Sequence, residues 1–325
     1  MTLSIHVQRI PGDVPLSYLE EMVETPLQIT TGDEPPPDAD YRIVIGGRPS
    51  RALLEASSEL EAVIVPFAGI PAETRALLRD FPRVALHNLH HNAAPVAEMT
   101  MALLLAASKS LLFFDRSLRE HRWMPRSAAI EGMLLEEKTA LILGYGAIGR
   151  RVARICQGMG MRVLATRRRH VPAEDERVKI FPADALRQLL PRAHVLIVCL
   201  PLTEATAGLI GATELSLLPS GAILVNVGRG PVVQEQALYE ALRDGHLRAA
   251  GLDVWYNYPE KRDGRTPVPP ANFPFHELEN VVMSPHRAGG SEDTERLRMQ
   301  HLARMLRAAA RGEAMPHGVN LAHGY

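Results

Sequence analysis

The chain has 325 residues, enough for two domains that each bury a core of their own. Hydrophobic residues make up 46% and charged residues 22%, which excludes a disordered chain, and 36 basic against 37 acidic side chains give no global reason to bind nucleic acid or an anionic membrane. Cys156 and Cys199, the two cysteines, read as reduced core residues of a cytoplasmic protein. The N-terminus lacks a signal-peptide pattern, and no histidine, cysteine or carboxylate spacing calls for a metal.

In chain order, β-rich runs at residues 3–7, 41–45, 62–67 and 84–87 alternate with helical or Pro/Gly-containing stretches, which predicts a small parallel sheet covered on both faces. The next helix opens with Pro95 at its first position and runs through Val96, Met99, Leu103 and Ala106, with Glu98 near its positive end. It is apolar nearly all round but too short to span a bilayer, a pattern suited to burial between domains or at a subunit interface. A polar stretch, residues 116–126 with Trp123, leads to a second series of compact apolar runs at 140–143, 162–165, 195–199, 222–225, 251–254 and 281–284. Helical segments between most of them predict a doubly wound sheet of about six or seven strands. A final helix over about residues 292–311 puts Leu302, Met305, Leu306 and Ala309 on one face and stops at Gly312.

The first of the later runs ends in Gly144-Tyr145-Gly146-Ala147-Ile148-Gly149, three glycines at the spacing that binds a dinucleotide between a strand and an amphipathic helix. Gly144 allows the tight turn, Gly146 lets backbone approach a pyrophosphate, and Gly149 lets helix and sheet pack closely. The N–H groups of the helix start, at Ala147 and Ile148, are free for phosphate oxygens. A glycine-rich turn of another α/β unit is the alternative. The second strand ends Thr166-Arg167-Arg168-Arg169, with no acid to bind a ribose 2′-hydroxyl. Guanidinium groups there suit a 2′-phosphate, so NADP(H) is favoured over NAD(H); a basic surface turn that tolerates either coenzyme is the competing reading.

Further motifs follow in a fixed order: Leu200-Pro201-Leu202-Thr203 with Thr206, Asn226-Val227-Gly228-Arg229-Gly230, Gly251-Leu252-Asp253-Val254 and Ser284-Pro285-His286. With Ala68-Gly69-Ile70, Asn92 before Val96-Ala97-Glu98, and the glycine fingerprint, they make the chain from about Ala62 onward resemble the D-isomer-specific 2-hydroxyacid dehydrogenase family, glyoxylate/hydroxypyruvate reductases among them. The resemblance implies an α/β protein of two doubly wound parallel-sheet domains. A central Rossmann domain, 97–290, is inserted into a discontinuous flavodoxin-like substrate domain, 1–96 and 291–325, with a cleft that closes over the coenzyme. It implies a homodimer acting on a small anionic substrate. Arg229 would hold the substrate carboxylate with its planar fork and His286 would exchange the proton of the carbonyl oxygen. Leu200, Pro201, Thr206, Val227, Gly228, Arg229, Asp253, His286 and Gly289 would join the glycine turn in holding coenzyme. Ala68, Gly69, Ile70 and Asn92 would join Arg229 and His286 in holding substrate.

One stretch departs from the family pattern. The family usually has a Glu-Pro pair after Asp-Val, whose Glu raises the pKa of the histidine. Here Asp253-Val254-Trp255-Tyr256-Asn257-Tyr258-Pro259-Glu260 places Tyr258 at that position. Either Tyr258 partners His286, or the segment 260–270 shifts the register and brings Glu260 there; Tyr258 is the preferred assignment. A Trp after Asp-Val and a neutral residue in place of Glu also resemble the formate dehydrogenase branch. That leaves oxidation of a small anion without proton transfer as an alternative function, and a non-enzymatic dinucleotide-sensing protein as another. The histidine-rich run of His87, His90 and His91 beside Asn92 suits cleft lining, contact with a second acidic group or, least well, a metal. Trp255 and Tyr256 serve either as a wall of the substrate site or as core.

Overall fold

The computed structural model describes residues 2–9, 15–123, 131–168, 177–260 and 267–321, and its strands form two parallel sheets. By contact the chain divides into two compact units, Met1–Asn92 with Gly290–Tyr325, and Ala93–Gly289.

In the first unit the strands are β1 (Leu3–Val7), β2 (Leu27–Thr31), β3 (Ile43–Ile45), β4 (Ala62–Val65) and β5 (Ala85–Asn88), in the order β2-β1-β3-β4-β5. This is the flavodoxin-like order. The central strands β3 and β4 are apolar and buried along their whole length, as a sheet covered on both faces requires. One face packs on α1 (Leu16–Val23) and the long C-terminal helix Thr294–Ala310 through Leu19, Val23, Met299, Leu302 and Leu306. The other packs on α2 (Arg51–Ala56) and α3 (Ala72–Leu78) through Leu53, Leu54 and Leu78. The sequence reading lacks β2, because Leu-Gln-Ile-Thr-Thr is a half-buried edge strand with no compact apolar run.

The second unit begins with α4 (Ala93–Ser108), followed by α5 (Leu111–Arg119). Its seven-stranded sheet has the order β12-β11-β10-β9-β6-β7-β8, where β6 is Thr139–Leu143, β7 Arg162–Arg167, β8 Val178–Pro182, β9 Val195–Val198, β10 Ala222–Asn226, β11 Leu247–Leu252 and β12 Val281–Met283. The chain runs outward from β6 in one direction, then returns to β9 and proceeds in the other. β6 and β9 therefore flank the switch point, where open α/β sheets bind ligands beyond the carboxyl ends of the strands. Helices α4 and α6 (Ala147–Gly158) cover one face, and α7 (Leu186–Leu189), α8 (Ala212–Ser216) and α9 (Glu235–Arg243) cover the other.

Several expectations are corrected. Helix α4 starts at Ala93, so Pro95 is its third residue; the first turn tolerates proline there because an amide N–H at that position would have no helical acceptor to lose. The helix lies wholly in the second unit instead of being divided at residue 96, because its apolar circumference packs on α6, β10 and β11. Gly251 makes this close: a Cβ there would lie 2.8 Å from Leu103 Cβ. The polar stretch from Arg116 is helical through Arg119. Edge strand β8 carries Lys179 and ends in proline, which hides it from an apolar-run search. The C-terminal helix starts at Thr294, later than residue 292. Burial pushes the thiols of Cys156 and Cys199 up to about 12, which leaves both inert as nucleophiles.

Candidate active site

The glycine turn joins β6 to α6 at the switch point. Gly144 has φ +98°, and its N–H and that of Tyr145 donate to the Thr166 carbonyl at 3.2 and 3.0 Å, tying the turn to the end of β7. A Cβ on Gly149 would lie 2.1 Å from the Gly144 oxygen, so only glycine permits the helix to start this close to the strand. Gly146 caps α6, is exposed, and has no heavy atom within 4 Å of where its Cβ would stand. The backbone is open just where a pyrophosphate needs approach, and Ala147 and Ile148 follow in the first helical turn. At the end of β7, Thr166 is buried, Arg167 half-buried and Arg168 exposed, and the strand carries no carboxylate. Arg169 lies outside the described residues.

Across the switch point, the loop after β9 holds Leu200 and Pro201, both half-buried. Buried Thr206 staples this loop: its hydroxyl accepts the Thr203 amide at 2.8 Å and donates to the Pro201 carbonyl at 2.6 Å. Gly228 packs against it, since a Cβ there would lie 2.5 Å from the Leu200 oxygen. After β10 the chain is held by Asn226, which is 1% exposed. Its Oδ1 accepts the Gly228 amide at 3.0 Å and its Nδ2 donates to the Arg229 carbonyl at 3.1 Å, an Asx-type clamp on both sides of Arg229. Val227, between them, is buried. The motif alone gives Asn226 no role; an Asn two residues before Gly at a strand end is the signal for this turn.

Arg229 is half-buried, and its Nη1 donates to the Gly228 carbonyl at 2.7 Å. Burial lowers its pKa from the ordinary arginine range, and nearby Tyr258 partly offsets this. Gly230 must be glycine for a different reason: its Cβ would lie 2.2 Å from the Trp255 carbonyl oxygen. Trp255 itself is core, buried against Phe275, with its indole N–H on the Ser284 carbonyl at 2.8 Å. Tyr256 is held with its hydroxyl on the Val233 carbonyl, and burial raises its pKa. Of these aromatics only Tyr258 is exposed.

Asp253 is buried and gathers the loop that carries His286. Its Oδ1 accepts the Ser284 hydroxyl at 2.6 Å and the Arg287 amide at 2.8 Å, and its Oδ2 accepts the Ala288 amide at 3.0 Å. His286 adopts the left-handed region, φ 58°, uncommon for a side chain of this size, and is half-buried. Its ring centroid is 5.6 Å from that of Tyr258, whose hydroxyl accepts the Trp255 amide at 3.0 Å. Glu260 is exposed. Half-buried Gly289 ends the loop.

In the first unit the Ala68-Gly69-Ile70 turn follows β4 and is half-buried; buried Asn88, which no sequence motif marks, donates to the Ala68 carbonyl at 2.6 Å. His87 is structural: its Nδ1–H donates to the Pro316 carbonyl at 2.9 Å, pinning the C-terminal segment to β5. His90 meets His317 edge to face, 4.7 Å between centroids. His91 is 4% exposed, and neither its Nδ1 nor the buried Oδ1 of Asn92 has a hydrogen-bond partner among the described residues. Burial, then Arg298, His301 and His90, push His91 down to about 3. Among the described residues no group of three or more His, Cys, Asp or Glu could hold a metal ion, and no single helix is long and apolar enough to cross a membrane.

The family model described as D-isomer specific 2-hydroxyacid dehydrogenase, NAD binding domain, matches residues 101–288. A glyoxylate reductase of Aeropyrum pernix is 39% identical over 235 residues, which are 69% of this chain and 65% of that protein. A D-3-phosphoglycerate dehydrogenase of Methanocaldococcus jannaschii is 28% identical over 286 residues, 87% of this chain and 52% of that protein. The chain thus spans about half to two thirds of the length of these curated relatives. A solved D-isomer specific 2-hydroxyacid dehydrogenase from Xanthobacter autotrophicus Py2, in complex with NADPH and MES, is 28% identical with a TM-score of 0.78, covering 99% of both chains. A match over more than half the sequence, joined to the same fold over nearly all of it, means that this chain belongs to the D-isomer specific 2-hydroxyacid dehydrogenase family.

Proposed function

We propose that this protein reduces a small 2-oxo acid to its D-2-hydroxy acid, with NADP(H) favoured over NAD(H). The observation that carries the reading is the grouping of Arg229, Tyr258 and His286 within the second unit, in the loops that follow β10, β11 and β12. In a parallel sheet these loops share one edge with the glycine turn after β6.

When bound, the coenzyme would supply a hydride for the substrate carbonyl carbon. Arg229, whose backbone Asn226 clamps on both sides, pairs its guanidinium with the substrate carboxylate. His286 gives its proton to the carbonyl oxygen as that oxygen becomes a hydroxyl, and takes it back in the reverse direction. Asp253 fixes the backbone from which His286 projects. The open backbone at Gly146 would accommodate the coenzyme pyrophosphate, and Arg167 and Arg168, at the end of a strand that carries no carboxylate, would pair with a 2′-phosphate.

The test is oxidation of NADPH, with NADH as control, against 2-oxo acids of increasing chain length, together with NADP+ reduction by formate. Reduction of at least one 2-oxo acid, and NADPH binding that weakens roughly tenfold in Arg167→Ala or Arg168→Ala while NADH binding does not change, is the expected result. Tighter binding of NADH, unaffected by either substitution, overturns the coenzyme preference. Turnover of formate alone points to the anion-oxidising chemistry, and no turnover at all to a coenzyme-sensing protein.

A further inference from the structure

At the edge of the second sheet opposite the glycine turn, around the amino ends of β6, β9, β10 and β11, lies a cavity of about 370 Å³. Its size is that of a small-molecule site. Lys138, His194 and Arg248 line it, with Met133, Leu134 and Pro219 forming an apolar wall, and among the described residues no carboxylate is part of the lining. Lys138 and Arg248 are half-buried, and the Arg248 guanidinium reaches the Glu131 carbonyl, a neutral partner.

His194 adds a donor of known tautomer. Its Nδ1 accepts the Thr139 amide at 3.2 Å, so the neutral ring carries its proton on Nε2. Burial first, and then the positive charges of Lys138 and Arg162, lower its pKa. The groups acting on it are cationic, and none of Lys138, His194 and Arg248 is paired with a carboxylate among the described residues. Like charges held together in partly desolvated surroundings repel, and an oxyanion placed among them removes that cost. The apolar wall is exposed on one side: Leu134 is 64% exposed directly beside the cations. A purely inorganic anion would leave that surface in water.

We propose that this cavity binds a small organic oxyanion, a phosphate or a carboxylate carried on an apolar body, at a site apart from the coenzyme turn. Lys138, Arg248 and the Nε2–H of His194 take the anionic group, and Met133, Leu134 and Pro219 take the body. The cavity adjoins the beginnings of the strands whose far ends carry the glycine turn, Leu200 and Arg229, so its ligand does not compete with coenzyme for the same atoms.

The experiment is an NMR titration of the full chain with phenyl phosphate, benzoate and inorganic phosphate. Saturable shifts at the amides of Lys138, His194 and Gly221 are expected, with phenyl phosphate or benzoate binding roughly tenfold tighter than inorganic phosphate. The tighter of the two organic probes identifies the preferred head group. The Lys138→Ala/Arg248→Ala double variant should weaken that probe by about tenfold or more while its melting temperature and NADPH titration stay as in the parent. Shifts confined to residues 144–149, equal affinity for inorganic phosphate, or unchanged affinity in the double variant would each overturn the proposal. Should the double variant fail to fold, the shift map of the parent chain decides.

Discussion

Tyr258 and His286 face one another in the second unit, 5.6 Å between ring centroids with their planes at 58°. Tyr258 is also the residue whose hydroxyl accepts the Trp255 amide, so it is anchored to the wall that closes on Gly230. Removing that hydroxyl in Tyr258→Phe should loosen the ring by about 1 kcal/mol, read as a roughly fivefold lower kcat. Glu260→Gln, two residues on at an exposed position, should leave kcat within about twofold. A collapse with Glu260→Gln and a normal Tyr258→Phe would return the usual carboxylate role to Glu260.

Asp253 accepts three hydrogen bonds from the Ser284–Ala288 loop, two of them from backbone amides. In Asp253→Asn one oxygen becomes an NH2 group, which sets donor against donor for at least one of them. A loss of about 2–3 kcal/mol in unfolding free energy is expected, with a fall in kcat larger than any rise in KM, because the displaced element carries His286. Chemical denaturation and steady-state kinetics measure the two. An unchanged kcat in a destabilised protein would confine Asp253 to a structural role.

Glycines separate sharply by what surrounds them. Gly230→Ala forces a Cβ to within 2.2 Å of the Trp255 carbonyl, next to Arg229, so a loss of about 3 kcal/mol and most of the activity is expected. Gly158, in the last turn of α6, has nothing within 4 Å and no positive φ. Gly158→Ala should therefore stabilise the protein by about 0.5–1 kcal/mol. Thermal melting of the two variants beside the parent checks both signs.

His91 makes stability depend on acid. Folded, its ring resists protonation down to about 3, whereas the unfolded ring takes up a proton near 6.5, so the unfolded state gains protons as pH falls. Its contribution is fully present above 6.5 and is lost progressively between about 6.5 and 3. From pH 7 to pH 5 the loss from this one group is about 2 kcal/mol. In His91→Gln, the difference in unfolding free energy between those pH values should shrink by about that amount. An unchanged difference would mean that the folded ring titrates normally.

What could be read from residue order varies with how local the physics is. Central strands such as β6, β9 and β10 are compact apolar runs because both faces are covered, and that burial is written in their composition. Edge strands β2 and β8 lack that cover and so lack the signal. Arg167 and Arg168 were legible as basic residues ending a strand, since the second strand after a glycine fingerprint is a position set by counting. Trp255 shows the opposite case. An aromatic after Asp-Val can line a site or fill a core, and only the packing of Phe275 and the Ser284 carbonyl around it decided for core.

The sequence by itself determined the two α/β halves, the glycine turn and the order of the motifs, because each depends on residues a few positions apart in one turn, strand or helix. The tertiary structure alone decided that Tyr258 stands beside His286 and that Asp253 gathers the loop after β12. It also decided that His87 holds the C-terminal segment through the Pro316 carbonyl. The first two contacts join segments about thirty residues apart in sequence, and His87 meets a segment at the far end of the chain. Residue spacing says which side chains share a loop, whereas the pairing and twist of the sheet decide which loops meet.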